Sequence, residues 1–350
     1  MIENKKSPFS LSIEALEQEL LARSSQIPSE RLFLFNDTEG TTSRHNIMKE
    51  IKKSLLSPPA LNSALADINT YDLAKILVFK TKPGMDCTRG NLAEDILDCY
   101  EITDAPILNN TLSVAALCNA DDLHETSHGH TSLKTKNYGK TFNLCELEPF
   151  RDQPIATGNI GTGFLLSEDI LATTNRWIEQ NNLTHLRVLF GYSMTDIGSP
   201  NTTFQAEDIY HVRNIIQQGS SLQGDDWVLL KLDRKVTGYK KVVLSKTKIS
   251  SDQEIYVIGH PLGLPLKYSA GAFVEETHDS SFTVNLNIYA PSSGSPVFDQ
   301  NTHHVIGIVV SSNRPNFIWT GNGWLSVNSP DGTKITCALI PEKLLDLAKA

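Results

Sequence analysis

Asn287-Ile288-Tyr289-Ala290-Pro291-Ser292-Ser293-Gly294-Ser295-Pro296-Val297-Phe298 places one serine, Ser293, directly before a glycine in a loop that also holds two prolines. A serine hydroxyl is a weak nucleophile by itself. To react it needs a neighbouring base to take its proton, a carboxylate to orient that base, and donors for the oxyanion. Pro291, two residues before Ser293, has no N–H to donate.

Around this loop the chain reads as β. From about residue 90 onward, short runs with β-branched residues alternate with Gly, Asn, Asp and Ser turns. Examples are Gly163-Phe164-Leu165-Leu166, Leu186-Arg187-Val188-Leu189-Phe190, Trp227-Val228-Leu229-Leu230-Lys231-Leu232, Ile255-Tyr256-Val257-Ile258 and His304-Val305-Ile306-Gly307-Ile308-Val309-Val310. Many short strands with turn punctuation predict a barrel or sandwich. Residues 341–348 predict a short C-terminal helix with Pro341 in its first turn. The first 85 residues have a different texture. Residues 13–21 carry apolar side chains near helical spacing after Ser12, a plausible N-cap. Residues 47–56 do the same and stop at Pro58-Pro59, and a third helix is expected over 64–79. The expected organisation is a small helical region at 1–85, either an interaction module or a structural extension, followed by a mainly β domain at 90–350. No internal repeat stands out.

The chain has 350 residues, 40% hydrophobic and 20% charged, as in ordinary soluble globular proteins. Its net charge of -9 argues against a nucleic-acid surface, and no basic run of that kind stands out. No window reaches the roughly 18 apolar residues of a membrane span. Met1-Ile2-Glu3-Asn4-Lys5-Lys6-Ser7-Pro8 lacks an apolar signal-peptide core, so a cytoplasmic protein is expected, with signal-independent export left open. Cys87, Cys99, Cys118, Cys145 and Cys337 are odd in number and show no metal-type spacing. They read as free thiols acting as small hydrophobes in a reducing compartment. His124, His128 and His130 have donors suited to Zn²⁺, but the Gly and Ser between them read as a solvated loop. No metal or cofactor is expected. His303-His304 reads as a hairpin turn, and Asp225 as turn chemistry beside Asp226.

Residues 287–298 resemble the nucleophile loop of trypsin-like serine peptidases, written G-N-S-G-S-P or G-D-S-G-G-P. The resemblance extends over about 90–345, to a bacterial group with a double β-barrel. Cys145-Glu146-Leu147-Glu148-Pro149-Phe150 is similar to that group's lead-in to the first barrel. Gly163-Phe164-Leu165-Leu166-Ser167-Glu168-Asp169-Ile170-Leu171-Ala172-Thr173 is similar to the strands before the catalytic histidine. Asp226-Trp227-Val228-Leu229-Leu230-Lys231-Leu232 resembles D-x-A-L-L-K-L, and Ile258-Gly259-His260-Pro261-Leu262-Gly263-Leu264-Pro265 resembles the I-G-H-P-x-G-x-P strand.

The resemblance implies Ser293 as nucleophile and Asp226 as triad acid. It leaves the base unfilled. Counted without gaps from Phe164, the histidine position falls on Arg176, and a slip of one residue gives Asn175 or Trp177. Arginine stays protonated and has no acceptor lone pair. It either pairs with Asp226 or faces solvent. Pro291 stands where the family has an oxyanion-loop glycine, so one of two backbone donors is lost and Ser293 N–H remains. Losing such a donor typically costs about 10²–10³ in rate, and losing the base on the order of 10⁶. Asn287 stands six residues before Ser293, where enzymes preferring Lys or Arg carry aspartate. The region of Gly161-Thr162 also lacks the cysteine found opposite Cys145 in secreted relatives.

His185, His211 and His260 are the other imidazoles weighed as a relocated base. The expectation is a degenerate peptidase that binds a polypeptide substrate or partner without cutting it. The alternative is an active serine endopeptidase with an atypical base or a partner-completed site.

Overall fold

A computed structural model describes residues 96–126, 129–144, 148–179, 182–219, 226–286, 293–311, 316–319, 323–327 and 333–339. The helices expected within 1–85 and at 341–348 lie outside the described residues, as do Asn287 and Pro291.

Thirteen strands and two short helices position the cleft. They are β1 (Ile96–Asp98), α1 (Ala105–Thr111), β2 (Val114–Asn119), β3 (Gly161–Ser167), β4 (Ile170–Thr173) and α2 (Asn175–Glu179). Then follow β5 (Leu186–Phe190), β6 (Ile209–Gln218), β7 (Val228–Leu232), β8 (Glu254–Gly259) and β9 (Lys267–Thr277). The last are β10 (Ser281–Leu286), β11 (Pro296–Asp299), β12 (Val305–Ser311) and β13 (Thr333–Leu339).

Strands β2 to β7 close into one antiparallel barrel in the order β2-β3-β4-β7-β6-β5, with β5 returning to β2. Strands β8 to β13 close into a second in the order β8-β9-β10-β13-β12-β11, with β11 returning to β8. Counted from its own first strand, each barrel runs 1-2-3-6-5-4. This is the mainly β double barrel that the resemblance implies. It is also a duplication that the amino-acid sequence does not display. Only the pattern of buried apolar sites has to recur for the second barrel to close like the first.

That pattern explains the continuous apolar runs. In β8, Ile255 and Val257 point into the second barrel, while Tyr256 and Ile258 point into the seam between barrels. In β3, Leu165 fills the first barrel while Phe164 and Leu166 fill the seam. Strands buried on both faces lose the polar alternation of a half-exposed strand. One hydrophobic cluster, including Phe164, Trp227, Leu229, Tyr256, Phe298 and Ile308, therefore joins the two barrels.

β1 adds to β9 as a seventh strand outside the second barrel's closure, with Asp98 in register with Lys267. The pair is fully buried, with Lys267 Nζ 2.5 Å from Asp98 Oδ1. Gln153 links both, accepting from Lys267 at 2.8 Å and donating to Asp98 at 2.6 Å. Lys267 also lies 4.7 Å from the Phe150 ring centroid. Burial lowers the Lys267 pKa, and the neighbouring Asp98 charge opposes that shift. Breaking such a pair strands a buried charge, so β1 is held firmly to the second barrel.

Candidate active-site cleft

Ser293 sits on the turn that leads into β11. Gly294 N–H donates to Val309 O at 2.8 Å, and Val309 N–H donates to Ser295 O at 2.9 Å, stitching the turn to β12. The first barrel holds it from the other side, where Thr162 N–H donates to Ser293 O at 3.1 Å. Gly294 has φ +93°, and a Cβ there would collide with Thr162 O and Thr173 Oγ1. Glycine is thus required twice, by conformation and by close approach. The Ser293 hydroxyl donates to Val310 O at 2.9 Å. A main-chain carbonyl accepts that hydrogen bond but cannot take the proton.

The remaining positions reach the same end of the first barrel through strand register. β4 pairs with β7, with Thr173 opposite Val228. Asp226 lies two residues before Val228, and α2 starts two residues after Thr173. Both segments leave the ladder at one end, the end where Thr173 Oγ1 donates to Thr162 O at 2.7 Å. Asp226 is 1% exposed and adjoins Trp227, which is buried in the seam. On α2, Trp177 and Ile178 pack into the first barrel's core, and Trp177 covers Gly161 so closely that a Cβ would meet its ring at 2.6 Å. Asn175 is also buried. Arg176 lies on the same helix, but its side chain is outside what the structure describes.

Three imidazoles bear on the question of a base. His260 is fully buried after β8. Its backbone N–H donates to Thr162 Oγ1 at 3.2 Å, its Nδ1 faces Leu264 O at 3.2 Å, and its ring stacks on Tyr192 at 5.4 Å. Burial pulls its pKa from the ordinary 6.5 to about 3. An imidazole that gives up its proton so readily is a poor general base at neutral pH. β8 ends at Gly259, so the I-G-H-P segment is strand only to that glycine; a 3₁₀ turn (Pro261–Gly263) follows, with Leu262 at φ 55°. His211, on β6, accepts at its carbonyl from Asp233 N–H. Asp233 is seven residues from Asp226 along β7, roughly 20 Å of strand, so His211 marks the opposite end. His185 is exposed in the 3₁₀ turn Leu183–His185.

His130 contacts Gln205 at 3.0 Å, His124 lies on the strand Leu123–Glu125, and His128 is outside the described residues. Among the described residues no His, Cys, Asp and Glu group has metal-holding geometry. His303 lies in the β11–β12 turn at φ 58°. Cys99, Cys118 and Cys337 are free thiols, and burial raises the Cys99 pKa to about 12.

The cleft contains residues that motif reading passed over. Thr162 contacts Ser293, Thr173 and His260 through its N–H, carbonyl and hydroxyl respectively. Its only sequence signal is a place in Gly161-Thr162-Gly163, which says nothing of partners on another barrel. Val310, whose carbonyl receives the Ser293 hydroxyl, gives no signal because only its backbone takes part.

A double six-stranded barrel with this cleft is the architecture of chymotrypsin-type serine peptidases. Residues 161–308 match the family model described as Trypsin-like peptidase domain. Among solved structures it is similar to the Rv3671c protease from M. tuberculosis H37Rv. The inactive form, a serine-to-alanine mutant, is 14% identical with TM-score 0.40, covering 71% of this chain and 91% of that one. The active form of the M. tuberculosis protease is also 14% identical with TM-score 0.40, covering 71% and 83%. A Glu endopeptidase in complex with MPD is 11% identical with TM-score 0.43, covering 73% and 95%. No curated protein matches the sequence. No helix among the described residues is long and apolar enough to cross a membrane.

Proposed function

We propose that this domain is a catalytically impaired trypsin-like peptidase that holds a polypeptide in its cleft without cutting it. One observation carries the reading. The segment that should present the base, Thr173 to Glu179, contains no histidine in any register, while the Ser293 hydroxyl gives its hydrogen to Val310 O. In this reading Ser293 is the former nucleophile, Asp226 the former triad acid and Arg176 the occupant of the base position. Pro291 removes an oxyanion donor, leaving Ser293 N–H, and Asn287 leaves the substrate pocket without a carboxylate for basic side chains. The domain spans 90–350, and residues 1–85 are its helical adaptor or extension. In this reading the protein is bacterial and works in a reducing, cytoplasmic compartment, with which the free thiols of Cys99, Cys118 and Cys337 are compatible.

A second reading is favoured by the retention of Ser293 and Asp226 at one end of the first barrel. It is an active endopeptidase whose base comes from a partner. Purified protein is to be incubated with a fluorophosphonate probe and a broad peptide library. No labelling and no turnover are expected. Hydrolysis that disappears in Ser293→Ala would reject impairment and support the second reading.

A further inference from the structure

We propose that the segment joining the two barrels is a docking strap for an acidic, leucine-bearing polypeptide, on the side of the molecule away from Ser293. Residues 231–248 hold Lys231, Arg234, Lys235, Lys240, Lys241, Lys246 and Lys248 against a single acid, Asp233. Seven of the chain's 31 Lys and Arg thus fall in one short stretch of a protein whose net charge is -9. The acidic total hides this run from any whole-chain argument, including the expectation that no basic run is present.

The structure lays the run across the outside of both barrels. Leu232 and Val236 donate to Asp169 O and Glu168 O at the β3–β4 hairpin. Lys240 N–H donates to Leu112 O, just after α1, and Val242 N–H to Leu165 O. Ser245 N–H donates to Val305 O and Val305 N–H to Val243 O, reaching β12. Val242 and Leu244 turn inward and join the seam cluster. Lys240, Lys241, Val243, Lys246 and Lys248 are exposed.

Part of the charge is already used. Lys231 pairs with Asp169, Arg234 with Asp233 and Lys235 with Glu168. Lys240 Nζ lies 2.5 Å from Asn109 Oδ1. Among the described residues Lys246 and Lys248 have no ion-pair partner, and Lys241 has only a longer-range attraction to Glu168, which already pairs with Lys235. On the strap Val243 is 55% exposed, and on the helix end that Lys240 contacts, Leu108 and Leu112 are 42% and 38% exposed.

Strand geometry fixes which side this is. The Ser293 turn touches β3 at Thr162 and β12 at Val309 and Val310; the strap touches the same strands at Leu165 and Val305. Three and five residues of strand separate these contacts, about 10 and 16 Å. The strap therefore crosses the ends of both strands that lie away from Ser293, and a ligand there leaves the cleft open.

The chemistry selects the occupant. Unpaired lysines attract carboxylates or phosphates as point charges. Exposed valine on the strap and leucines on the adjoining helix end match apolar side chains, which a phosphodiester backbone does not offer. The strap's aromatic residue, Tyr239, packs 4.6 Å from Phe190 against the first barrel's core, so the strap presents no row of stacking platforms of the kind single-stranded nucleic acid uses. An acidic polypeptide with interspersed leucines satisfies both features.

The test is fluorescence anisotropy of the full chain with a labelled Glu/Leu peptide, compared with all-Glu peptide, single-stranded DNA and anionic vesicles. The Glu/Leu peptide is expected to bind most tightly and more weakly as salt rises. Combined Lys241→Glu, Lys246→Glu and Lys248→Glu substitution is expected to weaken it about tenfold or more. Leu112→Ser is expected to weaken the Glu/Leu peptide but not the all-Glu peptide. Ser293→Ala is expected to change nothing, which separates this site from the cleft. No binding, or binding indifferent to the charge reversal, overturns the proposal. So does tighter binding of DNA or vesicles, or self-association that the charge reversal abolishes.

Discussion

The two barrels share one strand order yet contribute unequally to the cleft between them. The second supplies Ser293 on a turn stitched to β12, and it retains the glycine that this turn requires. The first supplies Asp226 and α2, and α2 presents no imidazole. The difference separates what holds a fold from what runs its chemistry. Trp177, Ile178 and Trp227 are fixed by burial, and their loss would open cavities. A position that takes no part in such packing can change its side chain while the barrel closes unchanged.

The sharpest way to break this contrast is to install the two groups that the proposed impairment lacks. Arg176→His with Pro291→Gly is expected to raise fluorophosphonate labelling of Ser293 by on the order of 10² or more over the parent. Arg176→His alone is expected to recover less. If the double variant stays unlabelled, the Ser293 turn is itself unproductive, and the second barrel has lost as much as the first.

Stability gives the next largest effect. Asp98→Ala leaves Lys267 buried without its carboxylate and is expected to cost about 3–5 kcal/mol, read as a lower urea midpoint. Asp98→Leu with Lys267→Met is expected to restore most of it, because an apolar pair of similar volume needs no desolvation. A cost near zero for Asp98→Ala would show that β1 is not locked to the second barrel.

The smallest effect concerns the seam. His260 has its pKa lowered to about 3 by burial, while in the unfolded chain it titrates near the ordinary 6.5. Between those values the unfolded state binds a proton that the native state does not. Stability is therefore unaffected by this group above about pH 6.5 and falls as pH drops toward 3, by about 1.4 kcal/mol per unit at most. His260→Gln is expected to flatten that acid limb in denaturation curves taken between pH 7 and 4. An unchanged slope would mean that His260 is protonated in the fold and that the seam admits water.

Much of the fold was legible in the sequence because strands buried on two faces leave apolar runs, and those runs at 163–166, 186–190, 227–232, 255–258 and 304–310 match β3, β5, β7, β8 and β12 closely. Ser293, Asp226 and position 176 were picked out through the resemblance, since a motif fixes a particular side chain at a particular spacing. Thr162 and Val310 were not, because their backbone groups meet partners distant in sequence, Thr162 across the barrel boundary and Val310 within the second barrel, and backbone groups are the same in every residue. The basic strap was legible in letters but not in meaning, since only its path shows which lysines are already paired.

The sequence by itself therefore determined the apolar runs of a barrel or sandwich, with a double barrel implied only by the resemblance, and also the absence of histidine at 173–179. Tertiary structure alone decided that the Ser293 hydroxyl donates to Val310 O, that His260 is buried, and which face carries lysines outside ion pairs. The physical reason is that hydrophobic periodicity is local along the chain, whereas hydrogen-bond partners and charge neighbours are set by residues far apart in sequence.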